Sequence, residues 1–232
     1  MKTSIQTKAR ISGLIYLVII AGGIFAELFV RGGLVVNNNP SATAHNILSH
    51  QFLYRTGFAV ELFYCLINVP LILLFYKIFK IVNKNLTLLV VCFSLIGTAI
   101  ESVCLLFHFA PLIFLTSPSL SIAQAEALTY LSLRFFGYGF SIALVFFGAY
   151  CLSMGMLIYQ SAFLPKFIGV LLFIQGVCYL VNSFGNFLAP AFAAKFFSIL
   201  EVSGLGEVSF CLWLLTMGVN TIKWQEKTIA EV

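Results

Sequence analysis

The chain has 232 residues, of which 61% are hydrophobic and only 9% are charged. A soluble domain of this length could not bury so much apolar surface, so the composition excludes a soluble globular protein and predicts an integral membrane protein. The net charge of +5 does not indicate a nucleic-acid partner, because lysine and arginine are scattered between apolar blocks and form no dense basic stripe.

Six apolar stretches follow one another along the chain, and each is long enough to cross about 30 Å of hydrocarbon as a helix. They lie at about 11–30, 57–79, 86–115, 136–159, 167–188 and 202–222. Their hydrophobicity is continuous, without the alternation that a transmembrane β-barrel requires. We therefore predict an all-α bundle of six transmembrane helices that forms one domain over residues 1–232.

The basic residues predict how this bundle is oriented. Nine lysines and arginines fall on the side of the amino terminus, whereas four fall on the opposite side: Arg31, Arg55, Arg134 and Lys195. The positive-inside rule then places both termini in the cytoplasm. The first apolar run is about twenty residues long, which favours a helix over a cleavable signal peptide.

The outer loops predict short helices that lie on the membrane surface. After the turn at Asn37–Ser41, either Ser41 or Thr43 is expected to cap a helix that reaches His50. A second segment of this kind is expected over Ser121–Leu133.

Polar residues inside the predicted helices supply the functional candidates, because an ionisable group there costs roughly 2.5–3.5 kcal/mol on insertion scales. The glutamates in question are Glu27, Glu61, Glu101 and Glu207. In the predicted orientation, all but Glu101 lie towards the outer side, together with Arg134 and Asn182. One interpretation is a polar cavity, open to the non-cytoplasmic side, that binds a polar ligand or passes protons. The other is hydrogen-bonded contact between helices, and for Glu27 an interfacial ion pair with Arg31.

The third predicted helix carries a weaker pattern. Glu101, Cys104 and His108 fall on one face by their spacing, as in an acid–base or metal site. The helix has no second histidine, and the six cysteines of the chain form no CxxC pair. A hydrogen-bonded histidine inside the bundle is therefore the simpler interpretation, and we predict neither a metal nor a cofactor.

Several stretches resemble a known family. They are Ala9–Tyr16, Ala26–Gly32, Gly137–Gly148, Leu164–Leu172, Tyr179–Phe184 and Gly206–Leu214. Together they resemble the bacterial membrane family catalogued as domain of unknown function 4386. The resemblance implies a six- or seven-helix unit of the bacterial inner membrane and implies no activity. Glu27, Arg31, Asn182 and Glu207 lie within these stretches and Glu61 stands where such proteins are expected to carry an acidic residue, whereas Glu101 and His108 fall outside.

Three functional hypotheses remain at this level. The first is a protein that binds or transports a small molecule or lipid through Glu61, Glu207, Arg134, Asn182 and Glu27. The second is a membrane enzyme acting on a lipid or isoprenoid, with Glu101 and His108 as acid and base. The third is a structural bundle with no ligand. The lipid bilayer is the partner that all three share.

Overall fold

The computed structural model describes residues 4–191 and 204–230, and the regular structure in these ranges is helical throughout. We label the helices α1 (Ile5–Ile24), α2 (Pro40–Ser49), α3 (Gln51–Phe79), α4 (Lys84–Leu115), α5 (Ile122–Ser161), α6 (Lys166–Leu188), α7 (Leu205–Thr216) and α8 (Thr221–Ala230). Five helical segments of the described chain are long and apolar enough to span a membrane, or six if α7 and α8 are one broken span. The predicted all-α membrane bundle is thus confirmed.

The first five predicted stretches each lie within an observed helix, but several helices extend further. The span that contains α1 covers Ile5–Leu34. The predicted surface segment at Ser121–Leu133 and the predicted helix at 136–159 are one helix, α5, of 40 residues. No proline interrupts the sequence between them, so the helix continues for about 60 Å and extends beyond the hydrocarbon layer.

The transmembrane stretch predicted at 202–222 is broken near its carboxyl end. Helix α7 ends at Thr216, and α8 runs at 96° to it. Gly218 has a φ of +69°, which suits the reversal of the chain. The side chain of Asn220 then accepts a hydrogen bond from the backbone N–H of Lys223 and caps α8. The predicted start at Val202 lies outside the described residues, as do Lys2 and Lys195 of the charge count.

A helix is present after the first span, as predicted, and is α2, but its cap differs from the prediction. Asn39 caps α2 by accepting a hydrogen bond from Ala42 N at 3.0 Å. The reason is Pro40, which occupies the first helical position, so that the capping residue must precede it. Thr43 instead donates to backbone oxygens of Val36 and Asn39.

Contacts divide the chain into two compact units. The first unit comprises Met1–Val18, Ile67–Thr98 and Ser141–Val232, and the second comprises Ile19–Leu66 and Ala99–Phe140. Helices α1, α3, α4 and α5 therefore contribute residues to both units.

The core of the first unit is aromatic and contains a close helix pair. The ring of Phe75 packs against Tyr16, Phe79 and Phe210. Helices α5 and α6 approach each other at glycines, as a Cβ atom on Gly169 would lie 2.6 Å from the Gly155 carbonyl oxygen. Small residues allow such contact between backbones within a membrane.

The second unit has its own apolar core. Val30, Leu34, Ile47, Tyr54 and Leu112 form a buried cluster between α2, α3, α4 and the end of the first span. Burial of these side chains fixes the carboxyl-terminal end of that span against the amino-terminal half of α3, which is where the polar residues described next lie.

Candidate functional site

A buried carboxylate, Glu61 of α3, lies at the centre of a group of charged side chains in the second unit. Its Oε1 accepts a hydrogen bond from Arg31 Nη1, and its Oε2 lies 2.6 Å from His108 Nδ1. Arg31 also donates from Nε to Glu27 Oε2 at 2.8 Å. We call Glu27, Arg31, Glu61 and His108 the Glu61 cluster. Three helical segments therefore bring two carboxylates, a guanidinium and an imidazole into direct contact.

Arg31 owes its position to a local change of helix type. The first span passes from α-helix to π-helix over Phe25–Arg31, and the N–H of Gly32 bonds to the carbonyl oxygen of Glu27, five residues earlier. Such wide turns recur at functional sites of helical proteins. The guanidinium carbon of Arg31 lies 4.8 Å from the centre of the Phe136 ring. The aromatic face and two carboxylates thus compensate for burying the cation.

His108 of α4 is fully buried between aromatic rings. Its ring centre lies 4.7 Å from that of Tyr54 and 5.5 Å from that of Phe136, and Tyr54 donates a hydrogen bond to its backbone oxygen. Nδ1 is close enough to Glu61 for an ion pair, but the ring N–H is not aligned for a regular hydrogen bond. Within the described part of the chain, Nε2 has no hydrogen-bond partner. One ring nitrogen is therefore left for a water molecule or a ligand.

Glu101, the carboxylate of α4, has a different partner. Its Oε1 accepts a hydrogen bond from the hydroxyl of Tyr64 at 2.7 Å. Cys104, one turn further on, faces Gly139 of α5, where an added Cβ would lie 2.2 Å from its sulfur. The predicted face of Glu101, Cys104 and His108 exists on α4, but each of the three side chains meets a different neighbour.

The first unit contains a second polar group, around Glu207 of α7. Its Oε1 accepts a hydrogen bond from Tyr16 at 2.7 Å, and its Oε2 accepts from Gln175 at 2.5 Å and from Tyr179 at 2.9 Å. The Gln175 side chain also accepts from the backbone N–H of Glu207. We call these four residues the Glu207 cluster. These three side-chain donors are neutral, whereas Glu61 accepts a hydrogen bond from the Arg31 cation.

A family model with the description Domain of unknown function (DUF4386) matches residues 11–218. The chain belongs to this family. A DUF4386 match over nearly the whole chain confirms the resemblance seen in the sequence. A relative from Archaeoglobus fulgidus with the printed name "Uncharacterized protein" is 25% identical over 150 residues, which are 64% of this chain and 86% of the relative. No solved structure matches the chain.

Two predicted site residues of this DUF4386 protein, Arg134 and Asn182, form hydrogen bonds with residues that belong to neither cluster. Arg134 is exposed and donates a hydrogen bond to the hydroxyl of Tyr138 at 3.0 Å. Asn182 of the first unit is buried and accepts from Asn186 at 3.5 Å. Glu61 and Glu207 belong to different units. Of the five predicted ligand- or proton-binding residues, Glu27 and Glu61 are thus joined, through Arg31.

Sequence reasoning missed the neutral partners of Glu207. Tyr16 and Tyr179 stand in apolar helices where aromatic side chains are common, so nothing in the sequence distinguishes them. Gln175 carries the clearest signal, because it is a polar residue in the middle of the apolar α6. Among the described residues no three histidine, cysteine, aspartate or glutamate side chains are grouped in a way that could hold a metal ion.

Proposed function

We propose that this protein is a proton-coupled membrane transporter that binds a small polar molecule or a lipid head group beside Glu61. The observation that carries the proposal is the contact of 2.6 Å between Glu61 and His108, two ionisable side chains that are both buried. Ionisable groups within membrane spans are costly, and they commonly mark proton relays and substrate pathways. A carboxylate beside an imidazole is a pair in which one proton can reside on either partner.

The side chains of the Glu61 cluster become progressively less exposed from Glu27 to His108, so a proton would enter the cluster at Glu27. The exposed fraction of the side chain is 63% for Glu27, 15% for Arg31, 1% for Glu61 and 0% for His108. Arg31 keeps its charge under all physiological conditions, so it acts by holding Glu61 in place and not by carrying the proton. In the predicted orientation, the exposed end of the cluster faces the non-cytoplasmic side.

The same cluster supports coupling of the proton to a ligand. Protonation of Glu61 removes the charge that holds Arg31, and this frees the guanidinium for an anionic or hydrogen-bonding group of a ligand. The unpartnered Nε2 of His108 offers a further contact. Binding and protonation thus draw on the same side chains, which is the condition for thermodynamic linkage between them.

The proposal is tested with the purified chain in proteoliposomes on a solid-supported membrane, where a jump in pH produces a current if the protein takes up protons. We expect a transient current from the wild type and a loss of most of it in Glu61→Gln and in His108→Gln. Glu126→Gln is the matched control, because Glu126 lies in the same unit and bonds to Ser41, outside the cluster. Currents of wild-type size from both cluster variants, in protein that elutes as a single folded species, contradict the proposal.

A further inference from the structure

A groove of about 440 Å³ runs between α1 and α7 in the first unit, whereas the Glu61 cluster lies in the second. We propose that it binds an anionic phospholipid. Its lining is polar at one end and apolar at the other. The polar end is formed by Ser4, Gln6, Thr7 and Arg10, and the apolar end by Ile11, Leu14 and Leu215.

The order of these residues along α1 matches the chemistry of a lipid. From Ser4 to Leu14 a helix rises by about 15 Å, so the groove covers a head group and the first part of an acyl chain. Arg10 suits a phosphate, and the hydroxyl groups of Ser4 and Thr7, which bond to each other at 2.8 Å, leave one hydroxyl hydrogen to donate to it. Ile11, Leu14 and Leu215 then continue as an apolar track. A soluble anion would use only the polar end, which is why a phospholipid fits the whole groove best.

Two kinds of contact hold the walls of the groove in place: close packing of the α1 and α7 backbones, and hydrogen bonds of the Gln6 side chain. Helix α7 lies so close to α1 that a Cβ on Gly13 would be 2.6 Å from the Leu215 nitrogen. The Gln6 side chain donates to the carbonyl oxygen of Met217 at 2.8 Å and accepts from Val219 N at 3.0 Å. These contacts tie the start of α1 to the end of α7, so the groove is formed before a lipid arrives, and little ordering is needed on binding.

The charge of this unit is complementary to an anionic lipid. Its described residues include two glutamates and eight lysines and arginines, namely Lys8, Arg10, Lys77, Lys80, Lys84, Lys166, Lys223 and Lys227. Arg10 is exposed, and no hydrogen bond or ion pair to another described residue engages its guanidinium. Basic residues near a membrane surface each contribute about 1 kcal/mol to attraction by anionic lipids. Arg10 is the one that lines the groove itself.

A second groove, of about 420 Å³, provides an internal comparison. It lies on α3 in the second unit and is lined by Phe52, Arg55, Thr56, Ala59, Val60 and Phe63. Its arginine is already engaged, because the guanidinium carbon lies 5.9 Å from the centre of the Phe109 ring. The hydroxyl of Thr56 is also used, as it donates to the Phe52 carbonyl oxygen. This groove therefore has a similar size and one arginine, but its arginine packs on an aromatic ring, whereas Arg10 of the first groove packs on none among the described residues.

The test is native mass spectrometry of the full chain in detergent, titrated with phosphatidylglycerol or with phosphatidylcholine. We expect one saturable phosphatidylglycerol site, and a loss of affinity of about fivefold in Arg10→Gln, which is the effect of one interfacial cation. Leu14→Trp fills the apolar end without changing the charge and should weaken the same site. Arg55→Gln is the matched control and should leave the affinity unchanged.

Three outcomes overturn the proposal. Equal affinity of wild type and Arg10→Gln shows that the groove holds no head group. Equal losses in Arg10→Gln and Arg55→Gln show that net charge alone attracts the lipid. Equal affinity for phosphatidylcholine and phosphatidylglycerol shows that the lipid is held without recognition of its charge. None of these outcomes involves Glu61 or His108, so they leave the proposed proton coupling to its own test.

Discussion

Glu61 and Glu207 are both carboxylates within apolar helices, and their partners give them different roles. Glu61 contacts a guanidinium, which balances its charge, and an imidazole, a group that can take up or release a proton. Glu207 receives hydrogen bonds from two phenols and an amide. Neutral donors that join α1, α6 and α7 at one carboxylate are typical of polar contacts that hold helices together in a membrane.

Removing one donor of the Glu207 cluster should therefore lower stability. We expect Tyr16→Phe to reduce the free energy of unfolding by about 1 kcal/mol, since one hydrogen bond to a partly buried acceptor is lost while the ring remains. The measurement is thermal unfolding in detergent, followed by intrinsic fluorescence. Tyr159→Phe is the control, because Tyr159 is half-exposed and keeps its ring beside Lys166. Equal melting temperatures of Tyr16→Phe and the wild type would show that this bond does not stabilise the fold.

At the residue scale, the sequence identified the carboxylates but not their neighbours. Glu61 and Glu207 stand out because a charge in a membrane span needs a physical reason. Their partners come from helices that are distant in sequence: Tyr16 is 191 residues from Glu207, and His108 lies on α4. The Glu27–Arg31 pair was predictable because four residues separate its members on one helix.

At the scale of elements, the pairing of α5 with α6 is set by glycines on both helices. Gly155 faces Gly169 and Gly148 faces Gly176, and each of these contacts brings a backbone oxygen within 3.1 Å of the site of an added Cβ. The two glycines on each helix are seven residues apart, so they fall on one face. Small residues in apolar helices are typical sites of close helix approach, but which glycines of α5 and α6 face each other required the structure.

A methyl group at this crossing should force the two helices apart. We expect Gly169→Ala to lower the free energy of unfolding by about 1–3 kcal/mol, because the new Cβ would meet backbone atoms that cannot move aside. Gly23→Ala is the matched control, as no atom lies within 4 Å of its Cβ position. Alanine favours a helix more than glycine does, so this control should keep or raise the stability. The same melting temperature for both variants would contradict the assigned crossing.

The elements also show where sequence patterns fail. The apolar run extends to Ile222, which predicted a single helix, yet the chain turns after Thr216. Gly218 and Asn220 are residue types that favour a turn, but the apolar residues around them favoured the prediction of a continuous helix. The π-helical segment Phe25–Arg31 has no signal of its own in the sequence, because its geometry depends on where Arg31 and Val30 pack.

At the scale of the whole molecule, the membrane bundle was predictable from composition alone, since 61% hydrophobic residues leave no soluble alternative. The count of spans is five or six among the described residues, depending on the bent pair α7 and α8. The division of the long helices between two units was not predictable, because it depends on which turns of different helices touch.

The orientation of the bundle is a prediction at this scale. We expect a fluorescent protein fused after Val232 to fluoresce in the cytoplasm and alkaline phosphatase fused there to be inactive. Alkaline phosphatase fused after Asn38, between the first span and α2, should be active. The reverse pattern of activities would show that the bundle is inverted and that the exposed end of the Glu61 cluster faces the cytoplasm.

The contact between Glu61 and His108 is tested most directly by solid-state NMR of the ring nitrogens in protein labelled with ¹⁵N-histidine and reconstituted in lipid. The chain has three histidines, and His108→Gln assigns the buried one by the loss of its signals. We predict that Glu61→Gln shifts both ring-nitrogen signals of His108, because the charged neighbour of Nδ1 is removed, whereas Glu126→Gln leaves them unchanged. Identical His108 signals in Glu61→Gln and the wild type would contradict a proton shared by this pair.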